Sequence, residues 1–287
     1  MNIIIHRGTH QIGGSAIEIS TASTRIILDF GNELSLDEKY TPINLDIDGV
    51  TKGLPDCDGI VISHYHMDHL GQLTSALPEI PLYMGELSKE VAMIATEHQD
   101  KDLYLRLLDA NTFRGGEAFT IGNIHIRPLV IDHSAVDSYM FVIEAEGKRA
   151  LYTGDFRMHG LRSHVIEKLV KTYIGEVDVL ITEGTSLSRD ADKYVSETAV
   201  LDDISSYIQD GKYVFIMCSS TNIDRIMGVW QNMPTDKVLI FDAYQKRILD
   251  TVINNVYYES SLYRRHDSPL VLSKGPYPKY YMDHGFV

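Results

Sequence analysis

Ile60-Val61-Ile62-Ser63-His64-Tyr65-His66-Met67-Asp68-His69-Leu70-Gly71 sets three histidines and an aspartate within six residues, directly after an apolar run. The run Ile60-Val61-Ile62 reads as a buried strand. Side chains alternate along a strand, so His64 and His66 share one face and converge on one point. Asp68 and His69 then turn away, where a loop enters a helix beginning near Leu70. Imidazole and carboxylate donors suit zinc or a similar divalent ion. Two pairs of donors diverging from one loop are most economically read as two metals held side by side. Single histidines such as His98 or His125 usually pack or face solvent. Four donors in the order His-x-His-x-Asp-His at a strand end seldom arise by chance.

Outward from this stretch, other strands end in groups of the same kind. Gly122–Ile131 reads as a strand and stops at Asp132-His133-Ser134, so His133 is a candidate third ligand or a cap of the next turn. Tyr139–Ala145 and Lys148–Thr153 form a hairpin that delivers Thr153-Gly154-Asp155-Phe156-Arg157-Met158-His159-Gly160. Gly154 lets the backbone approach closely, and Asp155 projects from a strand end, where a carboxylate can bridge two metals. His159 is either a further polar group of the site or a loop anchor. Upstream, Arg25–Gly31 is a strand whose Asp29 either orients a metal ligand or caps the turn. Asn2–His6 and Ser15–Ser20 are strands around Arg7–Gly14; no lysine follows its glycines, so that loop reads as a tight turn. Residues 32–58 are irregular and are expected to form a rim or lid. Leu70–Leu77, Glu86–Gln99 and residues 101–109 have helical character, and Pro81–Met84 reads as a strand.

The series Asp29, His64-x-His66-x-Asp68-His69, His133 and Asp155 resembles the metallo-β-lactamase superfamily in order and in strand-end placement. Tyr152-Thr153-Gly154-Asp155-Phe156-Arg157 looks like its RNA-processing β-CASP branch, as does Val177–Thr185, whose strand ends in Glu183. The resemblance covers residues 1 to 190 well and the remainder loosely. It implies an α/β fold, the αββα sandwich of the superfamily, over residues 1–190, with a partial β-CASP-like region at 191–287. It implies two zinc ions, or manganese, with His64, His66 and His133 on one, Asp68 and His69 on the second, and Asp155 between them. A water activated by the metals would attack phosphorus in line, positioned by Asp68, with Glu183 and His159 as further catalytic candidates. The late histidine by which this family completes its second metal has no counterpart, because His266 and His284 stand in unrelated contexts. The chain therefore reads as a fragment, a truncated product or a minimal variant.

The last hundred residues suggest a parallel βαβα unit. Ser196–Gln209 is an amphipathic helix, Tyr213–Met217 an apolar strand suited to a sheet covered on both faces, Asn222–Trp230 a helix, Lys237–Phe241 a strand and Ala243–Val256 a helix. Thr221 and Asp224 have the spacing of a capping box.

The 287-residue chain is 44% hydrophobic and 23% charged, enough for a sizeable core. Cys57 and Cys218 are isolated and read as reduced thiols. There is no membrane-spanning run and no signal peptide, so the expected location is the cytoplasm. A net charge of −14 disfavours a long polyanion, since phosphate binding normally leaves a basic footprint. Three functions follow: a two-zinc ribonuclease acting on RNA or another phosphodiester, internally or from an end; a zinc hydrolase of a small ester, thioester or lactone; and a catalytically impaired, metal-stabilised subunit of an RNA-processing complex. No membrane partner is expected, and a homo-oligomer stays open.

Overall fold

In a computed structural model, which describes residues 1–34, 43–187, 194–255 and 270–271, the short apolar runs pair into two main sheets. The first contains β1 (Asn2–Arg7), β2 (Ala16–Ser20), β3 (Arg25–Leu28), β4 (Gly59–Ile62), β5 (Leu82–Gly85) and β6 (Asn111–Phe113), in chain order. β1 to β3 pair antiparallel, and β3 to β6 pair parallel. The second contains β7 (Phe119–Ile121), β8 (Ile124–Ile131), β9 (Ser138–Ala145), β10 (Lys148–Tyr152) and β11 (Val179–Ile181), with only the β10–β11 pair parallel.

Strand alternation decides which side chains meet. Ile17, Ile19, Ile26, Leu28 and Val61 of the first sheet pack with Ile124, Ile126, Phe141, Ile143 and Tyr152 of the second in one buried core. Between the parallel strands β5 and β6 lie α2 (Glu86–Thr96) and α3 (Lys101–Leu108), which bury Leu87, Val91, Leu103 and Leu107. The outward residues of the second sheet, Leu129, Ile131, Met140, Val142 and Leu151, pack with Ile166 and Leu169 of α4 (Val165–Leu169). The layers are thus helix, sheet, sheet, helix. β4 is buried along its whole length, as a strand between parallel neighbours must be.

The helix expected over Leu70–Leu77 is displaced. A four-residue helix, α1 (Met67–Leu70), begins immediately after His66, and a 3₁₀ turn over Leu73–Ser75 follows. Asp68 and His69 therefore sit on a helical turn rather than in a loop ahead of one. Of the expected rim, residues 35–42 lie outside the described residues. Leu45 is tied back to the ligand segment through its N–H to Gln72 Oε1 (3.2 Å).

The chain divides into two compact units, Met1–Arg157 with Arg162–Arg189, and Met158–Leu161 with Asp190–Val287. The second contains α5 (Glu197–Asp210), α6 (Ile223–Gln231), β12 (Ile240–Phe241), α7 (Ala243–Asn254) and β13 (Leu270–Val271). Its helices pack through Leu201, Ile208 and Val229, with Ile204, Met233 and Leu239 against them. β12 and β13 pair parallel. The strand expected over Tyr213–Met217 does not form, and Phe215 and Met217 are exposed. A strand exists through its ladder, and among the described residues none pairs with this run. Asn222 is the N-cap of α6 and its own side chain makes no cap bond. No helix among the described residues is long and apolar enough to cross a membrane.

α2 starts at Gly85, which offers no side chain to its free N–H groups, and the cap comes from far along the chain. Asp137, held at φ 60°, accepts the Ser88 N–H on Oδ2 (2.9 Å) and the Tyr139 hydroxyl on Oδ1. A Cβ on Gly85 would come within 2.6 Å of that Oδ2, so the glycine makes room for the cap. Asp137→Ala should lower unfolding stability by about 1–3 kcal/mol. Asp137→Asn should lose less, because asparagine tolerates the left-handed backbone and keeps one acceptor. Denaturant midpoints of the two variants check the order.

Candidate metal centre

The site grows from the carboxyl end of β3. There the chain needs a turn, and Asp29 takes it at φ 56°, a conformation that only glycine, asparagine and aspartate adopt with any ease. Its carboxylate is fully buried. Oδ1 accepts the Ser63 N–H (2.6 Å), and Oδ2 accepts the Ser63 hydroxyl (2.8 Å), the His69 Nδ1–H (2.7 Å) and the Tyr152 hydroxyl (2.5 Å). These bonds orient the imidazoles. With its Nδ1–H on Asp29, His69 turns Nε2 towards Asp155 Oδ1 (3.2 Å) and Asp68 Oδ2 (3.7 Å). With its hydrogen on Asp29, Ser63 Oγ can accept from His64 Nδ1 (3.0 Å), and His64 then presents a bare Nε2.

That Nε2 lies 3.1 Å from His66 Nδ1, and His133 Nε2 lies 3.1 Å from the same atom. Burial, reinforced by neighbouring imidazoles, pushes His64 well below its usual pKa. Burial likewise lowers His66 to about 4 and His133 to about 3. The three rings are thus neutral, and one hydrogen on His66 Nδ1 can face only one of its two neighbours. A divalent cation satisfies all three nitrogens at once, which is why the donor set fits such an ion. A second group combines His64 with His69 and Asp155. Burial opposes the His69 cation, but Asp29 and Asp155 outweigh it and hold the pKa well above the ordinary value. The Asp155 carboxyl is correspondingly lowered: His69 overcomes the cost of burial. Burial raises the Asp68 carboxyl, which belongs to neither group but borders the second.

Glu183 accepts the Phe156 N–H (3.0 Å), and so supports the loop that carries Asp155. Its pKa is raised, chiefly by burial. His159 belongs to the second compact unit, where its carbonyl accepts the Glu197 N–H (2.8 Å) and its ring lies 5.4 Å from Tyr194. These are the contacts of a loop anchor.

Several supporting residues went unassigned in the sequence. Ser63 and Tyr152 complete the shell of Asp29. Asp132, fully buried, accepts Arg157 Nε (2.7 Å) and the Arg162 N–H (2.6 Å), which clamps the His133 and Asp155 loops together. Arg7 donates to the carbonyls of Gly14 (3.1 Å), Ile43 (2.7 Å) and Gly31. The only sequence signal for them was adjacency: Ser63 to His64, Asp132 to His133, Tyr152 and Arg157 to Gly154-Asp155.

The family model described as "Beta-lactamase superfamily domain" matches residues 24–203. The chain is 26% identical over 281 residues to Endoribonuclease YSH1 of Gibberella zeae, covering 90% of this chain and 32% of that protein. It is 27% identical over 223 residues to the RNase J-like protein of Methanocaldococcus jannaschii, covering 74% and 49%. Ribonuclease J of Helicobacter pylori is 24% identical over 241 residues, covering 76% and 33%. The chain therefore spans only 32% to 49% of the length of these relatives. A crystal structure of a protein of unknown function from Enterococcus faecalis shares the fold, with a TM-score of 0.73 at 20% identity over 86% of this chain and 66% of that one.

The ligand turn is held by backbone bonds as well. Ser15 N–H bonds Asp68 O (3.1 Å), Phe30 N–H bonds His69 O (2.7 Å) and Asn32 N–H bonds Met67 O (2.9 Å). A Cβ on Gly31 would lie 1.6 Å from the Asp68 carbonyl oxygen, so the two segments touch only because residue 31 is glycine. Gly31→Ala should displace Asp68 and His69, cost about 1–3 kcal/mol and lower the metal content found by elemental analysis, while circular dichroism retains the sheet signal. Full metal content in that variant would refute the contact's importance.

Proposed function

We propose that this chain, which belongs to the metallo-β-lactamase superfamily, is a metal-dependent phosphodiesterase that holds two zinc ions and cleaves RNA. The observation that carries the reading is the pair of donor groups meeting at His64, three neutral imidazoles on one side and His69 with Asp155 on the other. In this reading His64, His66 and His133 hold one ion, Asp68 and His69 hold the second, and Asp155 stands between them. Zinc, when bound, supplies a Lewis acid and lowers the pKa of coordinated water towards neutrality. The chain's own residues do the rest. Asp29 fixes which nitrogen of His69 faces the site, Ser63 does the same for His64, and Glu183 and the Asp132–Arg157 pair hold the loops of Asp155 and His133. Asp68, the partly exposed carboxylate at the mouth, is positioned to accept a proton from a nucleophile.

RNA as substrate is supported by the ribonuclease names of the relatives and by Thr153-Gly154-Asp155-Phe156-Arg157. Within this proposal residues 1–190 form the catalytic domain, and 191–287 form part of a β-CASP-like region. The net charge of −14 favours a second reading, hydrolysis of a small neutral ester, thioester or lactone by the same residues.

Labelled single-stranded RNA incubated with the zinc- or manganese-loaded chain should be degraded, and His69→Ala or Asp68→Ala should slow this by at least about a hundredfold. Elemental analysis should find close to two metal ions per chain. His66→Ala and His69→Ala should each remove about one of them. Turnover of aryl esters with inert RNA would replace the ribonuclease reading by the esterase one. Fewer than one ion per chain would overturn both.

A further inference from the structure

The outer face of the second sheet changes character along its length. Near the ends of β8 and β9 closest to the metal centre, Leu129, Ile131, Met140, Val142 and Leu151 are covered by α4 and by the π-turn Val170–Ile174 that extends it. The cover ends at Gly175, which turns the chain away at φ 62° and ψ −148°, a conformation effectively confined to glycine. Beyond it the same face is polar. His125 lies opposite Glu144 on β9, and Glu144 lies opposite Arg149 on β10, so the three form one row across the sheet. Arg127 stands in the next row, opposite Val142. Together with Thr172 and Tyr173 they line a cavity of about 300 Å³.

Two features mark this cavity as a place for an anion. Arg149 is already oriented: Nη2 donates to the Tyr173 carbonyl (3.2 Å), and Nε lies 3.1 Å from Glu144 Oε1, without the alignment of a hydrogen bond. Arg127 is exposed and has no ion pair or hydrogen bond among the described residues. In a chain with a net charge of −14, this cavity is lined by two guanidiniums and one carboxylate, Glu144, which already lies against Arg149 and leaves Arg127 without one. Planar guanidinium forks match phosphate oxygens in pairs. Tyr173, 43% exposed at the rim, adds a flat ring on which a base can stack. The volume is at the lower end of the range for small-ligand sites. Arg127 and His125 lie six and eight residues before His133 on a chain rising about 3.4 Å per residue, so the cavity lies roughly 20–27 Å from the metal centre.

We propose that this cavity binds a nucleotide, its phosphate on Arg127 and Arg149 and its base against Tyr173, either free or as one residue of an RNA strand. Glu144 holds Arg149 in place and keeps the site from being a general anion trap. The site stands apart from the metals, so binding there is independent of hydrolysis.

Adenosine monophosphate, inorganic phosphate and a short oligoadenylate, each titrated calorimetrically into the full chain with and without a chelator, test this. The nucleotide should bind saturably with chelator present. Arg127→Ala, at an exposed and unpaired side chain, should weaken it at least about tenfold without changing the melting temperature. Tyr173→Ala should weaken the nucleotide but not phosphate, and Arg149→Lys, which keeps the charge and loses the fork, should weaken both. Tighter binding of the oligoadenylate, equally sensitive to Arg127→Ala, would identify the strand as the source; equal or tighter binding of the mononucleotide would identify the free nucleotide. No saturable binding below about 10 mM, binding unchanged in Arg127→Ala, or binding abolished by the chelator would overturn the proposal.

Discussion

The centre depends on one buried carboxylate. Asp29 accepts donors from the end of β4 (Ser63), from α1 (His69) and from β10 (Tyr152), so a single side chain joins both sheets beneath the site. Placing it there is costly. A left-handed non-glycine residue costs about 1–3 kcal/mol, and a desolvated carboxylate costs several more. Hydrogen bonds to a charged group return about 1.5–3 kcal/mol each, so the four at Asp29 together are of the same order as that cost. Losing one donor would therefore leave Asp29 a liability to the fold as well as a poor support for His69. The same bonds choose the ring nitrogens that face the site. Structural and chemical roles are not separable at this residue.

Close backbone approach is the second constraint. Gly31 lies against the Asp68 carbonyl. Gly154, at φ 54°, brings the loop before Asp155 within about 3.0 Å of the Tyr139 carbonyl and the Ser63 side chain, measured from where a Cβ would be. Side chains at either position would push apart the two loops that carry the clustered donors. Arg7 then fastens the outer segments, since its guanidinium takes carbonyls from Gly14, Gly31 and Ile43, which no secondary structure would otherwise satisfy. Asp132 and Arg157 do for His133 and Asp155 what Arg7 does for the N-terminal loops. The donors converge because four polar anchors and two glycines leave their loops no alternative.

Strand periodicity and motif order are local, and that is why so much of the site is legible in the sequence. Ile60-Val61-Ile62 had to be a strand, but it ends at Ile62, and His64 and His66 meet in the short loop between it and α1 rather than by strand alternation. His133 and Asp155 were recognisable because each follows an apolar run. Asp29 was legible as a support for the same reason, though not as the acceptor of four bonds. What could not be read is what depends on distant partners. Tyr152 looks like a core residue until its hydroxyl is found on Asp29, 123 residues away. Asp137 caps a helix that begins 51 residues before it, and nothing near Glu86 announces this. The run Tyr213–Met217 failed as a strand for the converse reason: its apolar character is local, while a ladder requires a neighbour. α1 starts earlier than the sequence suggests, and backbone bonds from Ser15, Phe30 and Asn32, all distant in the chain, hold that turn.

The acidic composition bears on function less than its size suggests. At physiological ionic strength exposed charges are screened beyond about 8 Å, so a phosphate responds to the groups immediately around it. If the centre holds two divalent ions as proposed, they would bring four positive charges against the three carboxylates of Asp29, Asp68 and Asp155, and bound ions dominate a local field. Among the described residues several other cations pair with carboxylates: Lys148 with Asp178, Arg25 with Glu18, Arg114 with Glu86, Arg157 with Asp132, Lys171 with Glu167. Arg127 stands outside that pairing. A chain of this kind would engage a polyanion at a few discrete points rather than along a basic track, and the surrounding acids would shorten the time a phosphodiester spends anywhere else. Negative charge is then compatible with an RNA substrate, provided that contact is confined to the metals and to a small number of unpaired guanidiniums.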